Sequence, residues 1–159
     1  MILGALWGSF ANVCIFRLPN EKNVVSGRSY CPKCENNIVW HDNIPIVSFI
    51  KLKAKCRNCE YQIPIQYLVV EILSLASFTL IYFLFGISFT TLLFWILYLS
   101  FLIIFFIDLK HFIIPNVITF PLMMIGFIKS FDPNLSYIFP NYINSLIGGL
   151  LGYGVIFSI

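Results

Sequence analysis

Five apolar runs and one long polar stretch divide this 159-residue chain. Met1–Phe16 is the first apolar run, short for the ~20 residues of a membrane-spanning helix. Arg17-Leu-Pro19 ends it, and a polar segment with turn-forming Pro, Asn and Gly extends to Gln66. Tyr67–Phe85 is of spanning length and is interrupted only by Glu71. After the short turn Gly86-Ile-Ser88, the nineteen residues Phe89–Ile107 carry no charge. Asp108 follows directly. Phe112–Ile128 is the fourth run, with Pro115 expected in its first helical turn and Pro121 expected to kink it. Lys129–Asn141 reads as a polar loop, and Tyr142–Ile159 as a fifth, glycine-containing run. The pattern predicts an all-α polytopic membrane protein with about five transmembrane helices and one polar insertion. It predicts a first span over 1–16, a loop domain over 17–66 and a membrane core over 67–159. No internal repeat is apparent.

Composition agrees with this pattern. The chain is 59% hydrophobic and 11% charged, with a mean hydropathy of +0.88. A soluble domain needs a more polar surface. Charge position adds an orientation. Eight of the ten Lys and Arg residues fall between Arg17 and Arg57, and short loops rich in these residues stay cytoplasmic. The loop and Asp108 are therefore expected on the cytoplasmic side and Met1 outside. No basic residue precedes the first apolar run, so it does not resemble a signal peptide. A nucleic-acid partner is not expected, because the basic residues are interspersed with Glu21, Glu35, Asp42 and Glu60.

Two chemistries stand out. Cys31-Pro-Lys-Cys34 and Cys56-Arg-Asn-Cys59 are C-x-x-C pairs separated by 21 residues. Two such knuckles complete a four-thiolate site, the usual arrangement for structural zinc, and a loop this small would depend on the metal for its fold. Disulfides are disfavoured in a reducing compartment. Cys14 reads as an inert buried thiol and His41 as a loop residue. Asn12 reads first as a packing residue, with a bond to a neighbouring helix as the alternative. Glu71 is expected to pair with a Lys or Arg of the loop, against a role in substrate or cofactor binding. Asp42-Asn-Ile-Pro45 reads as a turn. The second chemistry belongs to Asp108. A carboxylate at the end of a spanning run is expensive and is a functional-site candidate by default. Two such carboxylates sharing a proton could activate water against a peptide carbonyl. The alternative is a structural role at the interface, or pairing with Lys110.

Taken together and in order, several stretches resemble the type IV prepilin peptidase family, a group of polytopic aspartyl proteases. They are Gly8-Ser-Phe-Ala-Asn-Val-Cys-Ile-Phe-Arg-Leu-Pro19, Arg28-Ser-Tyr-Cys-Pro-Lys-Cys34, Asp42-Asn-Ile-Pro45, Cys56-Arg-Asn-Cys59, Gln66-Tyr67 with Val70-Glu71, and Asp108 followed by Ile114-Pro-Asn116. The resemblance implies cleavage of prepilin or pseudopilin leaders at the cytoplasmic face of the bacterial plasma membrane. It also implies N-methylation of the new N-terminus with S-adenosylmethionine, at residues the sequence does not identify. Asp108 matches the first catalytic aspartate, and Cys31, Cys34, Cys56 and Cys59 match the zinc-type cysteines. The implied partners are prepilins, pseudopilins and the lipid bilayer.

Two departures accompany the match. The family's second catalytic aspartate lies in a G-x-G-D motif, and no such string occurs here. Gly152-Tyr-Gly154 resembles the helix that precedes it, so the peptidase core is expected to be incomplete at the C-terminus. Ala54 stands where the family often has glycine, at a point where close backbone approach is expected to matter. The competing reading is a non-catalytic, membrane-anchored zinc-binding scaffold of a secretion or pilus assembly. A third is a carrier with Glu71 and Asp108 along a polar path.

Overall fold

A computed structural model describes residues 2–25, 27–129 and 142–157. Among these, the regular structure is helical: α1 (Ile2–Arg17), the short α2 (Val47–Lys51), α3 (Gln66–Phe85), α4 (Phe89–His111), α5 (Asn116–Lys129) and α6 (Tyr142–Phe157). The chain divides into two compact units, Met1–Pro115 and Asn116–Ile159. Among the described residues, three helices are long and apolar enough to cross a membrane: Ile2–Asn20, Gln66–Phe85 and Phe89–His111. The apolar helices of the second unit are shorter, Asn116–Ile128 and Tyr142–Gly152. The polar loop expected over 129–141 lies outside the described residues, apart from Lys129.

In the first unit, α1 packs against α3 and α4, and α3 against α4. Small residues permit the closest approach. A Cβ on Gly8 would lie 2.8 Å from the Glu71 Cα, and one on Gly4 would lie 2.9 Å from the Leu75 Cα. Backbone atoms cannot retreat as a side-chain tip can, so these two glycines set the α1–α3 distance. Ala11, Val70 and Ser74 fill the interface and are fully buried. Gly8→Val is expected to lower the melting temperature in detergent, with an overpacking cost of ~1–3 kcal/mol. Gly149→Ala, where an added Cβ meets nothing, is expected not to.

The α3–α4 hairpin is closed locally. Gly86 ends α3 at φ +62, ψ −155, a conformation that favours glycine. Ser88 caps α4 by accepting from the Thr91 N–H at 3.2 Å, and the Thr91 hydroxyl donates to the Gly86 carbonyl at 2.7 Å. Further along, Trp95 stacks on Phe78 with ring centroids 5.0 Å apart and donates its indole N–H to the Phe78 carbonyl. Leu80, Phe83, Phe101 and Phe105 point outward and exposed, as expected of lipid-facing positions. Pro115 differs from expectation. The fourth apolar run becomes helical only at Asn116, so Pro115 precedes the helix and disfavours helical backbone at Ile114. Pro121 does lie inside α5.

Candidate functional site

The segment between α1 and α3 folds around two knuckles built alike. In the first, the Cys31 N–H donates to the Asn36 carbonyl and the Glu35 N–H to the Cys31 carbonyl, while Tyr30 bridges to Asn37. In the second, Cys56 donates to Tyr61, Glu60 donates to Cys56, and Lys55 bridges to Gln62. Glu35 and Glu60 both adopt left-handed backbone, at φ +56 and +54. The knuckles are thus a structural repeat, although no internal repeat is apparent in the sequence. Its trace in the sequence is a glutamate directly after each C-x-x-C.

The knuckles face each other. All four Sγ atoms of Cys31, Cys34, Cys56 and Cys59 lie within 4.8 Å of one another. Cys31 and Cys59 are 3.7 Å apart, and Cys34 and Cys56 are 4.0 Å apart. A tetrahedral zinc with ~2.3 Å Zn–S bonds requires edges of about 3.8 Å, so the donor set fits that ion. Sulfur-to-sulfur bonds of ~2.05 Å are absent, and all four cysteines are free. Burial raises the Cys31 thiol, but hydrogen bonds from the Cys34 and Lys33 backbone and from Cys56 and Cys34 outweigh it and hold it at about 7. His41 is not among the clustered groups. It lies 3.8 Å from the Asp42 carboxylate.

Asp42 ties the turn to the second knuckle. Arg57 donates to it twice, at 2.7 and 2.6 Å, in a bidentate fork. Those bonds hold the Asp42 carboxyl below its usual range. A carboxyl depressed in the folded state stabilises the fold above its unfolded value of about 4. That contribution is lost as pH falls through the depressed folded value. The thermal stability of wild type should therefore exceed that of Asp42→Asn at pH 7, and the gap should close as the medium is acidified below about pH 4. Comparing the two proteins at each pH cancels the thiolate protonation common to both.

Glu71 does not pair with a loop cation. Its Oε2 accepts the Ile46 backbone N–H at 2.7 Å. Ile46 occupies φ +63, ψ −50, and the Val47 N–H reaches the Pro45 carbonyl at 2.6 Å. This is a positive-φ γ-turn, a strained conformation for a β-branched residue. It persists where the surroundings hold it, and here the hold is a buried carboxylate of α3. Nothing in the sequence signals a left-handed isoleucine. Asn12 does more than pack: it bonds its neighbouring helix, donating to the Tyr67 carbonyl at 3.0 Å. Buried Arg17 gathers the start of the loop by donating to the carbonyls of Asn23, Gly27 and Arg28. Between the loop, α1 and α3 lies a cavity of about 170 Å³ lined by Ser9, Asn12, Phe49, Tyr67 and Glu71 among others. Ala54 has φ +57. Left-handed backbone is therefore a local reason for glycine at that position, distinct from the close approach expected.

Asp108 sits in the last turn of α4. The buried stripe leading to that turn is Leu99, Leu102, Ile103 and Ile107, and Asp108 lies off it, exposed. Phe112, at φ +54, closes the helix by donating its N–H to the Asp108 carbonyl at 2.9 Å. Asp108 and Lys110 form no ion pair among the described residues, so the structural role weighed for that pair finds no contact to support it. The carboxylate is thus presented at a fixed helix end, outside the packing of the first unit.

Comparison with known proteins divides the chain between α3 and α4. Residues 2–85 match the family described as Bacterial Peptidase A24 N-terminal domain, and residues 95–159 match the Type IV leader peptidase family. A prepilin leader peptidase/N-methyltransferase of Vibrio cholerae is 38% identical over 80% of this chain and 53% of its own length. One from Myxococcus xanthus is 33% identical over 96% of this chain and 44% of its own. One from Klebsiella pneumoniae is 33% identical over 98% of this chain and 69% of its own. The chain spans about half the length of the first two of these relatives. No solved structure matches the chain.

Proposed function

The chain belongs to the type IV leader peptidase family, and from that membership we propose the function of a prepilin leader peptidase of the bacterial plasma membrane. The observation that carries the proposal is Asp108, an exposed carboxylate held at the end of a spanning-length helix. In this reading the four-cysteine loop and Asp108 face the cytoplasm. The substrate is a prepilin or pseudopilin whose leader joins the mature chain near the membrane surface.

Two carboxylates are needed for the chemistry. One takes a proton from water as it attacks the scissile carbonyl, and the other donates to the carbonyl oxygen as charge develops there. Asp108 supplies one of them. The 159 residues contain no G-x-G-D string to supply the other. The four cysteines would hold zinc, which contributes folding energy and leaves no open coordination position for catalysis. The relatives' names include methyl transfer, and S-adenosylmethionine would supply the methyl group. The cavity of about 170 Å³ is below the ~300–1,000 Å³ of sites that enclose a whole ligand of that size, so no residue is assigned to that cofactor.

The test uses two proteins, the 159-residue chain and one extended to the relatives' length. Each is incubated with a prepilin in detergent micelles. The extended protein is expected to release the leader and the short chain to leave it attached. Efficient cleavage by the short chain would remove the need for a second aspartate outside it.

A further inference from the structure

Helix α2 is apolar on both sides. Phe49, with Leu52 just after the helix, lines the internal cavity. Val47 and Ile50, three residues apart and so on a common face, point the other way and are 57% and 66% exposed. The neighbouring turn, Trp40–Asn43, packs beside α2 and carries Trp40, also largely exposed. Lys51 and Lys53 follow at the end of the helix, both exposed. A solvated loop would place polar residues at Val47 and Ile50. Aliphatic side chains beside a tryptophan and lysines instead match the composition of a bilayer interface.

Depth along the membrane axis is set by a hydrogen bond. The Ile46 N–H, immediately before α2, is bonded to Glu71. Glu71 is the sixth residue of α3, about 7.5 Å along the axis from its first. The bond from Asn12 to the Tyr67 carbonyl fixes α1 at the neighbouring turn. The start of α2 is therefore held level with the opening turns of α3, a helix apolar enough to cross a membrane. In a bilayer crossed by α3, that level falls at the headgroup–acyl boundary.

We propose that α2 and Trp40 form an interfacial foot that seats the four-cysteine loop on an anionic phospholipid surface. Val47 and Ile50 enter the headgroup–acyl boundary, and Lys51 and Lys53 meet lipid phosphates. This inference rests on α3 being a membrane span. It is independent of the peptidase reading.

The chain is reconstituted in nanodiscs of phosphatidylcholine with and without phosphatidylglycerol. A diazirine-bearing leucine analogue replaces Ile50, and adducts formed on irradiation are identified by mass spectrometry. The same analogue at Phe105, an exposed position of α4, reports whether the protein is inserted. Phospholipid adducts at position 50 are expected, with phosphatidylglycerol enriched above its share of the lipid. Lys51→Glu with Lys53→Glu is expected to abolish that enrichment while leaving adducts at position 105 unchanged. Water adducts at position 50 alongside lipid adducts at position 105 would overturn the proposal. So would cross-links to a second copy of the chain, which would make α2 a protein interface. Lipid adducts without enrichment would overturn its anionic specificity.

Discussion

Asp108→Asn, made in a protein extended to the relatives' length, is expected to reduce prepilin cleavage on the order of a thousandfold or more. Asparagine keeps the shape but neither takes the proton from water nor returns one. Asp108 is exposed, and its backbone carbonyl bond to Phe112 does not involve the side chain. Its replacement should therefore change stability by no more than about 0.5 kcal/mol. A loss of rate without a loss of melting temperature separates catalysis from folding. Lys110→Gln, another exposed residue of the same helix end, is expected to leave the rate near wild type. A fall in both activity and stability on replacing Asp108 would instead identify it as a structural cap.

The second large effect concerns the knuckles. Cys31→Ser combined with Cys56→Ser removes one sulfur from each C-x-x-C pair and leaves two of the four thiolates. Zinc content, measured on the purified protein, is expected to fall from one ion per chain to none. Structural zinc contributes roughly 10–16 kcal/mol in comparable small sites, far more than the backbone bonds of either knuckle could replace. Proteolysis should then cut the loop between α1 and α3 while α3 and α4 stay protected. Cys14→Ser, outside the cluster, is expected to keep its zinc. Full metal content in the double variant would show that the four sulfurs do not form the site.

Much of this architecture was legible in the sequence, because hydrophobic run length and C-x-x-C spacing are strong signals. The runs at Tyr67–Phe85 and Phe89–Ile107 correspond to α3 and α4, and the four paired cysteines converge. The inter-helix bond of Asn12 was the less favoured of two readings, because a polar side chain at depth can also simply pack. Pairings between distant segments were not legible. Arg57 joins Asp42, and Glu71 joins the Ile46 backbone. Each links a common residue type to one of many possible partners, so composition does not choose between them. The left-handed backbone at Ile46 was hidden for a further reason. It opposes the intrinsic preference of a β-branched residue, so only the tertiary setting could reveal it. Pro115 was misplaced because an apolar run marks burial in lipid or protein, not helicity at every residue.

The most direct measurement is the N-terminus of a prepilin after incubation with the extended protein in lipid vesicles, read by intact mass. Loss of the leader, with the mature chain heavier by one methyl group when S-adenosylmethionine is supplied, is the predicted result. The Asp108→Asn protein should leave the leader in place. A prepilin that keeps its leader with the wild-type protein, while that protein is inserted and zinc-loaded, would contradict the peptidase assignment and favour a metal-binding scaffold.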